Sequence, residues 1–528
     1  MQTLTKTLTG AQAIIQTLNS LNIDTIFGYP GGVVLSVYDE LAKQDTIKHY
    51  LVRHEQSAVH CAEGYARVTG KCGAVIVTSG PGATNVVTGL ANAYLDGFPL
   101  LVITGQVSAE LLHQDAFQEV DIIDITKSCT KKNFQVKSIE TLQDTLIEAY
   151  NTAMTGKKGP VVVDITKNVF SQTAEFKTPN FNSIQILNNE FDLQSAINAI
   201  SSSQRPVIIT GGGAIDASVE VREFAKKLNI PVVSTMMGLG VYPANDENYL
   251  GMVGIFGNAN KIVRESDLII ALGSRFNDRI KNCLGNDIEQ KLIHIDIEKT
   301  LPQSIGLIGD AKAILSELIS STFAVHNFEK WIEHCKTLNT YSFKKRSDRL
   351  HSFEVLEEIQ KYFSGQTPII ATEVGQHQVW ASRCLQFKSP RKFITSGGLG
   401  TMGFGFPASI GACVGANNQP VICIAGDGSF QMSIQEIATC VDYNLPVKVF
   451  IFNNGYLGMV RQFQEKSCEQ RYFATKISNP DFVKLAQSYG ALGLRVEKKE
   501  DIKQALDKAM SHNGIVLVDF VIEPEEIL

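Results

Sequence analysis

421-VICIAGDGS-429 and 447-VKVFIFNN-454 are the two stretches that decide the fold. Each is a mainly apolar run, rich in residues that favour strands, and it ends in Gly, Ser, Asp or Asn. Runs of this kind are typical of strands that are buried on both faces of a parallel sheet. Ligands of such sheets bind beyond the carboxyl ends of the strands, where these polar residues lie. We therefore expect Asp427 and Asn454 to lie near one ligand site.

Similar apolar runs recur throughout the 528 residues and alternate with helical patterns. This alternation predicts the α/β class with doubly wound parallel sheets. One helical pattern covers residues 479–490, where Asn479 suits the N-cap and Gly490 the C-terminal stop. Polar stretches at 176–190 and 336–350 are typical of linkers. Division at these linkers predicts three domains, over residues 1–175, 190–335 and 350–528.

Composition excludes several classes of protein. A net charge of -6 without long basic or acidic runs argues against nucleic acid or a membrane surface as a partner. We find no signal peptide and no apolar run of about 18 residues, so we expect no membrane span. The 10 cysteines form no CxxC pair and have no zinc spacing. They are predicted to be mostly buried thiols in a reducing, cytoplasmic compartment.

The GDGS segment and the later Asn-Asn pair together predict a site for a diphosphate and its cation. Mg²⁺ prefers hard oxygen ligands, which the Asp427 carboxylate, the Asn454 amide and the Tyr456 main-chain carbonyl would supply. Gly426 and Gly428 would let the backbone approach the phosphates. A GDG tripeptide alone is more often a simple turn than a ligand site. The Asn-Asn pair on a neighbouring strand makes the diphosphate site the favoured interpretation. The spacing resembles the thiamine-diphosphate motif.

Glu55 lies in 53-RHEQSAVHCAEGYARVTG-70 and is the candidate catalytic carboxylate. A glutamate at the start of a helix is normally a solvated N-terminal charge. However, this segment and 78-TSGPGATN-85 together resemble the pyrimidine-binding domain of thiamine-diphosphate enzymes. The resemblance implies that Glu55 bonds the aminopyrimidine ring and shares a proton with it. It also implies that Glu55 meets the diphosphate site across two subunits, in a homodimer or tetramer.

Eleven sequence blocks, in the same order, resemble the catalytic subunits of the acetohydroxyacid (acetolactate) synthase family. The blocks are 27-FGYPGG-32, 54-HEQ-56, 78-TSGPGATN-85, 103-ITGQV-107, 115-DAFQE-119, 235-TMMGLG-240, 272-LGSRFNDR-279, 375-GQHQVW-380, 395-TSGGLGTMGFG-405, 426-GDGSF-430 and 453-NNGYLGMVRQFQ-464.

The resemblance implies the thiamine-diphosphate-binding fold: an N-terminal pyrimidine-binding domain, a Rossmann-like central FAD domain and a C-terminal diphosphate-binding domain. The implied cofactors are thiamine diphosphate, Mg²⁺ and FAD. The implied reaction decarboxylates pyruvate and joins the fragment to a second 2-oxo acid. The product is 2-acetolactate, or acetohydroxybutyrate from 2-oxobutanoate, in the first common step of branched-chain amino acid biosynthesis. A small regulatory subunit is a further candidate partner.

The same resemblance implies roles for individual residues. Phe117 and Gln118 would border the reaction cavity across the subunit interface, and Lys167 would guard its entrance. Arg279 would bind the carboxylate of the second 2-oxo acid, because a guanidinium matches a carboxylate in two contacts. Without the resemblance, ordinary packing or surface charge explains each of these residues. The full catalytic set is Glu55, Gly32, Phe117, Gln118, Lys167, Arg279, Met402 and Phe463.

The implied cofactor contacts fall in two groups. Met402 would wedge under the bent thiamine diphosphate, although a methionine there could equally fill a core. The contacts to thiamine diphosphate would be Pro81, Asn85, Gly375, Gln376, His377, Gly400, Met402, Gly426, Asp427, Gly428, Ser429, Asn454, Tyr456, Leu457, Gly458 and Met459. The contacts to FAD would be Lys157, Gly211, Gly212, Gly213, Thr235, Met236, Gly254, Gly273, Arg275, Asp278, Asp296 and Asp310.

The chain departs from the family pattern at a few of these positions. The family's RFDDR is RFNDR here, with Asn277, and a flavin-contacting Arg is replaced by Lys157. The family's GMHG is 254-GIFG-257. Phe463 stands where the family has a Trp that favours 2-oxobutanoate, a contact worth about 1–3 kcal/mol. We therefore expect a weaker preference for 2-oxobutanoate, with acetolactate as the main product.

Other functions remain open on the sequence alone. Within the same superfamily, the alternatives are a catabolic acetolactate synthase without FAD, a 2-oxo acid decarboxylase or a pyruvate oxidase. An alternative from another class is a homologue that binds the cofactor without catalysis. The retention of Glu55, Asp427, Asn454 and Arg279 argues against that last alternative.

Overall fold

The structure, a computed structural model, describes residues 5–177, 192–285, 292–324, 327–339 and 343–528. It contains three parallel six-stranded sheets and one two-stranded antiparallel sheet, with helices between the strands. The predicted α/β class with three doubly wound domains is confirmed. The linker predicted at 176–190 lies outside the described residues except for its first two. Among the described helices, none is long and apolar enough to span a membrane.

The N-terminal sheet has the strand order β3-β2-β4-β5-β7-β6, and all its neighbours are parallel. The strands of this region are β1 (Thr5–Thr9), β2 (Thr25–Tyr29), β3 (Lys48–Leu51), β4 (Gly73–Val77), β5 (Leu100–Gln106), β6 (Lys132–Val136), β7 (Pro160–Thr166) and β8 (Thr173–Lys177). Strands β4, β5 and β7 are buried along their whole length, which agrees with their apolar sequences. The outlying strands β1 and β8 pair antiparallel with each other.

Eight helices connect these strands. They are α1 (Gly10–Ser20), α2 (Leu35–Leu41), α3 (Glu55–Thr69), α4 (Pro81–Thr84), α5 (Val87–Asp96), α6 (Ile122–Thr126), α7 (Leu142–Met154) and α8 (Lys167–Ser171). Helix α3 begins with His54 as its N-cap, and the His54 Nδ1 accepts a hydrogen bond from the Gln56 N–H at 3.1 Å. Its C-terminal stop is Gly70 in the left-handed conformation.

The middle sheet has the order β11-β10-β9-β12-β13-β14. Its strands are β9 (Pro206–Thr210), β10 (Val232–Ser234), β11 (Tyr249–Met252), β12 (Leu268–Leu272), β13 (Leu292–Asp296) and β14 (Ile305–Ile308). Its helices are α9 (Leu193–Ser202), α10 (Ser218–Leu228), α11 (Asn260–Glu265), α12 (Asp278–Leu284), α13 (Ala311–Ser320) and α14 (Glu329–Leu338). This is the strand order of dinucleotide-binding Rossmann domains, whose ligand crevice opens where the order reverses, between β9 and β12.

The C-terminal sheet has the order β16-β15-β17-β18-β20-β19. Its strands are β15 (Ile369–Thr372), β16 (Phe393–Thr395), β17 (Val421–Gly426), β18 (Val447–Asn453), β19 (Leu492–Val496) and β20 (Val516–Val521). Its helices are α15 (Ser352–Tyr362), α16 (Gln376–Cys384), α17 (Gly405–Gly415), α18 (Asp427–Phe430), α19 (Ile437–Asp442), α20 (Gly458–Ser467), α21 (Phe482–Ser488) and α22 (Ile502–Ser511). When the six strands of each sheet are renumbered in their order along the chain, the N-terminal and C-terminal sheets have the same strand order.

The helix predicted over 479–490 is shorter than expected. It begins at Phe482, and its N-cap is Asp481, whose carboxylate accepts hydrogen bonds from the N–H groups of Val483 and Lys484. The prediction of Asn479 as the N-cap is therefore wrong. Asp481 is the carboxylate that reaches the first free N–H groups of the helix, so it takes the capping position. Asn479 is left available for a different contact.

Helices α3 and α17 join the N-terminal and C-terminal domains in a close crossing. A Cβ on Gly64 would lie 2.0 Å from the Ala408 carbonyl oxygen, and one on Gly411 would lie 1.7 Å from the Cys61 carbonyl oxygen. Neither distance is tolerable, so only glycine permits this approach of the two backbones. One hydrophobic core continues through the crossing and contains strand residues of both sheets, such as Val75 and Val421.

Candidate active site

The two motif stretches meet at the carboxyl edge of the C-terminal sheet. Strand β17 ends at Gly426, and strand β18 beside it ends one residue before Asn454. The two strands pair in parallel, with Gly426 opposite Phe452. Asp427 and Asn454 thus follow neighbouring strand ends.

The Asp427 carboxylate is held by three N–H groups. One oxygen accepts from the Gly428 N–H at 2.9 Å, and the other accepts from the Gly455 N–H and the Asn479 side-chain amide, both at 2.7 Å. Burial raises the pKa of Asp427, and these hydrogen bonds act in the opposite direction. The same Asn479 amide also donates to the Asn453 side chain at 2.9 Å. Asn479 therefore ties the two motif stretches together, a role that sequence analysis did not assign to it.

Most of the predicted thiamine-diphosphate contacts line one cavity at this edge. Those that do are Gly375, Gln376, His377, Met402, Gly426, Asp427, Gly428, Ser429, Asn454, Tyr456, Leu457, Gly458 and Met459. Gly400 instead lies in the loop that precedes Met402. The cavity is also lined by residues that sequence analysis did not single out, namely Ser352, Val374, Phe452, Val460, Ile522 and Glu526.

The cavity residues fit a diphosphate with its cation. The Nε2 atom of His377 is buried and has no hydrogen-bond partner among the described residues. Burial lowers the pKa of His377 to about 3, so its imidazole is neutral at ordinary pH. Within the described part of the chain, no group of three or more His, Cys, Asp or Glu side chains could hold a metal by itself. The predicted oxygen ligands include a single carboxylate, so a divalent cation here needs anionic oxygens from a ligand as well.

The outer wall of the cavity is tied to the C-terminal residues. The Gln376 side-chain amide donates to the Gln462 side-chain oxygen at 2.8 Å and to the Glu526 carbonyl at 2.9 Å. The Glu526 carboxylate accepts from the Ser352 N–H at 2.6 Å, and burial raises its pKa to about 7. No motif in the sequence pointed to this arrangement, because it joins residues that are distant along the chain.

A second cluster of predicted residues lies at the carboxyl edge of the N-terminal sheet. Glu55 is the first residue of α3, and its carboxylate accepts a hydrogen bond from the Asn85 side chain at 2.9 Å. Pro81 begins α4 four residues before Asn85. Gln118 packs against Gly80, the residue before Pro81: a Cβ on Gly80 would lie 2.9 Å from the Gln118 Cβ. The structure therefore brings Glu55, Pro81, Asn85 and Gln118 together.

The remaining predicted catalytic residues are not among those that line the C-terminal cavity. Gly32 follows β2 and Lys167 begins α8, both at the carboxyl edge of the N-terminal sheet. The Phe117 side chain is 89% exposed, and that of Phe463, on α20, is 48% exposed. None of the predicted N-terminal residues is among those that line the cavity. Within one chain, most of the predicted catalytic and thiamine-diphosphate residues thus fall into two groups, which we call half-sites: one at the carboxyl edge of the N-terminal sheet and one around the C-terminal cavity.

The predicted FAD residues follow several strands of the middle sheet. Gly211, Gly212 and Gly213 come directly after β9, and Gly273 follows β12. A Cβ on Gly211 would lie 2.2 Å from the Gly273 carbonyl oxygen, so these glycines let the two strand ends approach closely at the crevice. Other members of the set also lie at strand ends: Thr235 and Met236 after β10, Gly254 after β11, Arg275 after β12, and Asp296 as the last residue of β13.

Four predicted residues at the periphery of the middle domain have polar contacts of their own. The Asp310 carboxylate caps α13 by accepting from the Ala313 N–H at 3.0 Å. Lys157, from the N-terminal domain, pairs with Glu298 at 3.3 Å. Arg279 is exposed and lies 3.8 Å from its neighbour Asp278.

Comparisons with known proteins match all three domains. The model of the N-terminal TPP binding domain of thiamine pyrophosphate enzymes matches residues 8–125. The model of the central domain matches residues 193–318, and that of the C-terminal TPP binding domain matches residues 373–520.

Several curated proteins are similar over most of their length. The acetolactate synthase large subunit of Haemophilus influenzae is 40% identical over 99% of this chain and 96% of its own length. That of Corynebacterium glutamicum is 41% identical over 98% and 87% of the two chains. The acetolactate synthase isozyme 3 large subunit of Escherichia coli is 38% identical over 98% and 96%.

Proposed function

Because the chain belongs to the family of acetolactate synthase large subunits, which are thiamine pyrophosphate enzymes, we propose that it makes 2-acetolactate from pyruvate. The reaction decarboxylates one pyruvate and joins the remaining fragment to a second 2-oxo acid. The observation that carries the proposal is the cavity around Asp427, Asn454 and His377, which fits a diphosphate and its cation.

The C-terminal cavity would hold the diphosphate end of the cofactor. Asp427, Asn454 and the Tyr456 carbonyl would bind Mg²⁺, and N–H groups at the start of α20 would meet the phosphates. When bound, thiamine diphosphate supplies a thiazolium ring that takes up the electrons released by decarboxylation. The apolar side chains of Phe452, Leu457 and Ile522 in the cavity wall would exclude water from the reacting atoms.

Glu55 would hold and move the proton that the reaction requires at the aminopyrimidine ring. One of its oxygens accepts from Asn85, which fixes the orientation of the carboxylate while the other oxygen keeps its acceptor capacity. Arg279 would bind the carboxylate of the second 2-oxo acid. Phe117, Gln118 and Lys167 would border the space in which that acid binds.

The active unit would be at least a homodimer. Glu55 and the Asp427 cavity belong to different domains, and the half-site residues of the N-terminal domain do not line that cavity. A second copy that brings its N-terminal sheet edge to the C-terminal edge of the first completes the site. Two equivalent sites result, as two-fold symmetry requires. The strongly exposed Phe117 side chain would then be covered by the partner.

We propose FAD as a third cofactor, at the crevice between β9 and β12 in the middle domain. The glycine turn after β9 and the reversal of strand order between these strands suit a dinucleotide. The domain limits 1–175, 190–335 and 350–528, a small regulatory subunit and a cytoplasmic location stay predictions of the sequence.

One assay tests the proposed function. Purified protein is supplied with pyruvate, Mg²⁺ and thiamine diphosphate, with and without FAD, and both CO₂ and acetolactate are measured. We expect both products, and their loss when either Mg²⁺ or thiamine diphosphate is left out. Glu55→Gln should remove nearly all of the rate. Wild-type turnover by that variant would refute the proton role of Glu55, and CO₂ with oxygen uptake in place of acetolactate would indicate an oxidase.

A further inference from the structure

The loop from Ser396 to Thr401 connects β16 to Met402 and therefore carries one wall of the cofactor cavity. Its sequence, SGGLGT, contains three glycines, which favour many conformations in the absence of other constraints. Two bonds inside the loop come from the Ser396 hydroxyl, which accepts from the Gly400 N–H at 3.0 Å and the Thr401 N–H at 2.9 Å. The loop is thus folded around the Ser396 side chain.

Helix α5 of the N-terminal domain holds this loop from outside. The Asn92 side-chain oxygen accepts from the Ser396 hydroxyl at 2.5 Å and from the Thr401 hydroxyl at 2.9 Å. The Asp96 carboxylate accepts from the Gly398 N–H at 2.7 Å and from the Gly397 N–H at 3.2 Å. Both ends of the loop are therefore anchored on one face of a helix from another domain.

The Asn92 and Asp96 side chains that hold the loop are themselves held by a buried ionic network. The Asn92 amide donates to both oxygens of Glu63, at 3.1 and 2.9 Å. The Arg67 guanidinium bonds Glu63 and Asp96, each at 2.5 Å, and lies 4.0 Å from the centre of the Phe98 ring. Because the amide hydrogens of Asn92 go to Glu63, its oxygen must face the loop. Loss of this side chain would leave several buried polar groups without partners.

We propose that Asn92 is a positioning residue that sets the Met402 loop for the cofactor cavity of its own chain. This inference rests on the proposed function, because Met402 and Gly400 matter here as cofactor contacts. Asn92 does not line the cavity, so it acts through Ser396 and Thr401. The N-terminal domain thereby serves two sites in the dimer. Glu55, at the start of α3, would face the cofactor bound by the partner subunit. Glu63, in the same helix, supports the loop beside the cofactor cavity of its own chain.

The test measures cofactor binding and turnover separately in the dimeric enzyme. In Asn92→Ala, calorimetric titration with thiamine diphosphate and Mg²⁺ should show a Kd raised on the order of tenfold, because less of the protein has a competent loop. At saturating cofactor, binding draws the loop back into its competent arrangement, so kcat and the KM for pyruvate should both stay within about twofold of wild type. Amide hydrogen exchange of a peptide that spans residues 396–404 should become faster.

A matched control and a second variant separate positioning from folding. Asn248, in the middle domain, is also a buried amide, bonded to Asn229 at 3.1 Å. Asn248→Ala should lower the Tm without changing the cofactor Kd or exchange in the loop. If Asn92→Ala does not fold, Thr401→Val removes one donor to Asn92 and leaves the contacts of Glu63 intact. It should give a smaller change in the same direction.

Two negative results have different meanings. In the first, the wild-type enzyme binds the cofactor, and the Asn92→Ala and Thr401→Val variants match it in Kd and loop exchange. That result would overturn the positioning role alone. Wild-type enzyme that binds no thiamine diphosphate would overturn the proposed function and this inference with it.

Discussion

Asp427 is the one carboxylate among the predicted oxygen ligands of the cation. It is a buried carboxylate whose oxygens accept from Gly428, Gly455 and Asn479. These neutral donors orient the group without neutralising it, so its charge stays available for a cation. Burial raises its pKa, and a bound cation would act in the opposite direction by favouring the ionised form.

Asn479 should contribute to cofactor affinity through Asp427. In Asn479→Ala the Asp427 carboxylate loses a donor at 2.7 Å, so we expect a Kd for thiamine diphosphate with Mg²⁺ raised by about three- to tenfold. Titration calorimetry measures this change. Asp481→Ala is the control, because Asp481 caps α21 nearby without a bond to Asp427 and should cost about 1 kcal/mol of stability only. Equal Kd values for both variants would contradict the prediction.

Glu373 should make the protein less stable as the pH rises. Burial raises the pKa of Glu373 from 4.5 to about 7, and the Gly403 and Phe406 N–H groups bond its carboxylate. The folded state therefore binds this proton more tightly than the unfolded state. Its stabilising contribution is complete below pH 4.5 and is lost as the pH rises through about 7, on the order of 3 kcal/mol.

The matching measurement compares thermal midpoints at pH 5 and pH 8. The midpoint of the wild type should fall more between these pH values than that of Glu373→Gln, which has no proton to lose at this position. Parallel slopes for the two proteins would show that Glu373 does not titrate in this range.

Phe463 should weaken the preference for 2-oxobutanoate as the acceptor. The Phe463→Trp variant restores the family's residue and enlarges an apolar contact. We therefore expect its selectivity for 2-oxobutanoate over pyruvate to increase by an amount that corresponds to about 1–3 kcal/mol. Competition between pyruvate and 2-oxobutanoate, scored by the ratio of the two products, measures it. A wild-type enzyme that already strongly prefers 2-oxobutanoate would contradict this prediction.

At the scale of elements, strands were easier to predict than helix ends and loops. Buried parallel strands such as β17 are continuous apolar runs, so their positions follow from local sequence. The start of α21 was misplaced because Asn479 and Asp481 are both good N-caps, and tertiary contact with Asp427 decides between them. The anchors of the 396–401 loop could not be predicted, because they lie on α5, about 300 residues earlier.

The crossing of α3 and α17 should tolerate no side chain larger than hydrogen at its centre. In Gly411→Ala the new Cβ would lie 1.7 Å from the Cys61 carbonyl oxygen, so the helices must separate. We expect a loss of about 1–3 kcal/mol or more, seen as a lower Tm and lower activity. At the end of the same helix, Gly415→Ala would meet the Thr69 Cγ2 at 3.0 Å and should cost less. Equal Tm values for both variants would refute this account of the crossing.

At the scale of the whole molecule, the chain has two half-sites, and the residues of the N-terminal one are not among those that line the C-terminal cavity. The sequence predicted most of the residues that line the C-terminal cavity, because motif residues follow strand ends in parallel sheets. It could not predict which residues anchor the half-sites to neighbouring domains, such as Asn92. Those contacts depend on how the domains pack, which no local pattern encodes.

The most direct test of the shared site mixes two inactive variants. Glu55→Gln and Asp427→Ala lesions fall in different half-sites, so a hybrid dimer of the two chains has one site with both lesions and one intact site. If the sites form between subunits, co-refolded or co-expressed mixtures should regain about a quarter of the wild-type rate of acetolactate formation, since about half of the dimers are hybrids. If each chain builds its site alone, the mixture should stay as inactive as its parents, and that result would contradict the account.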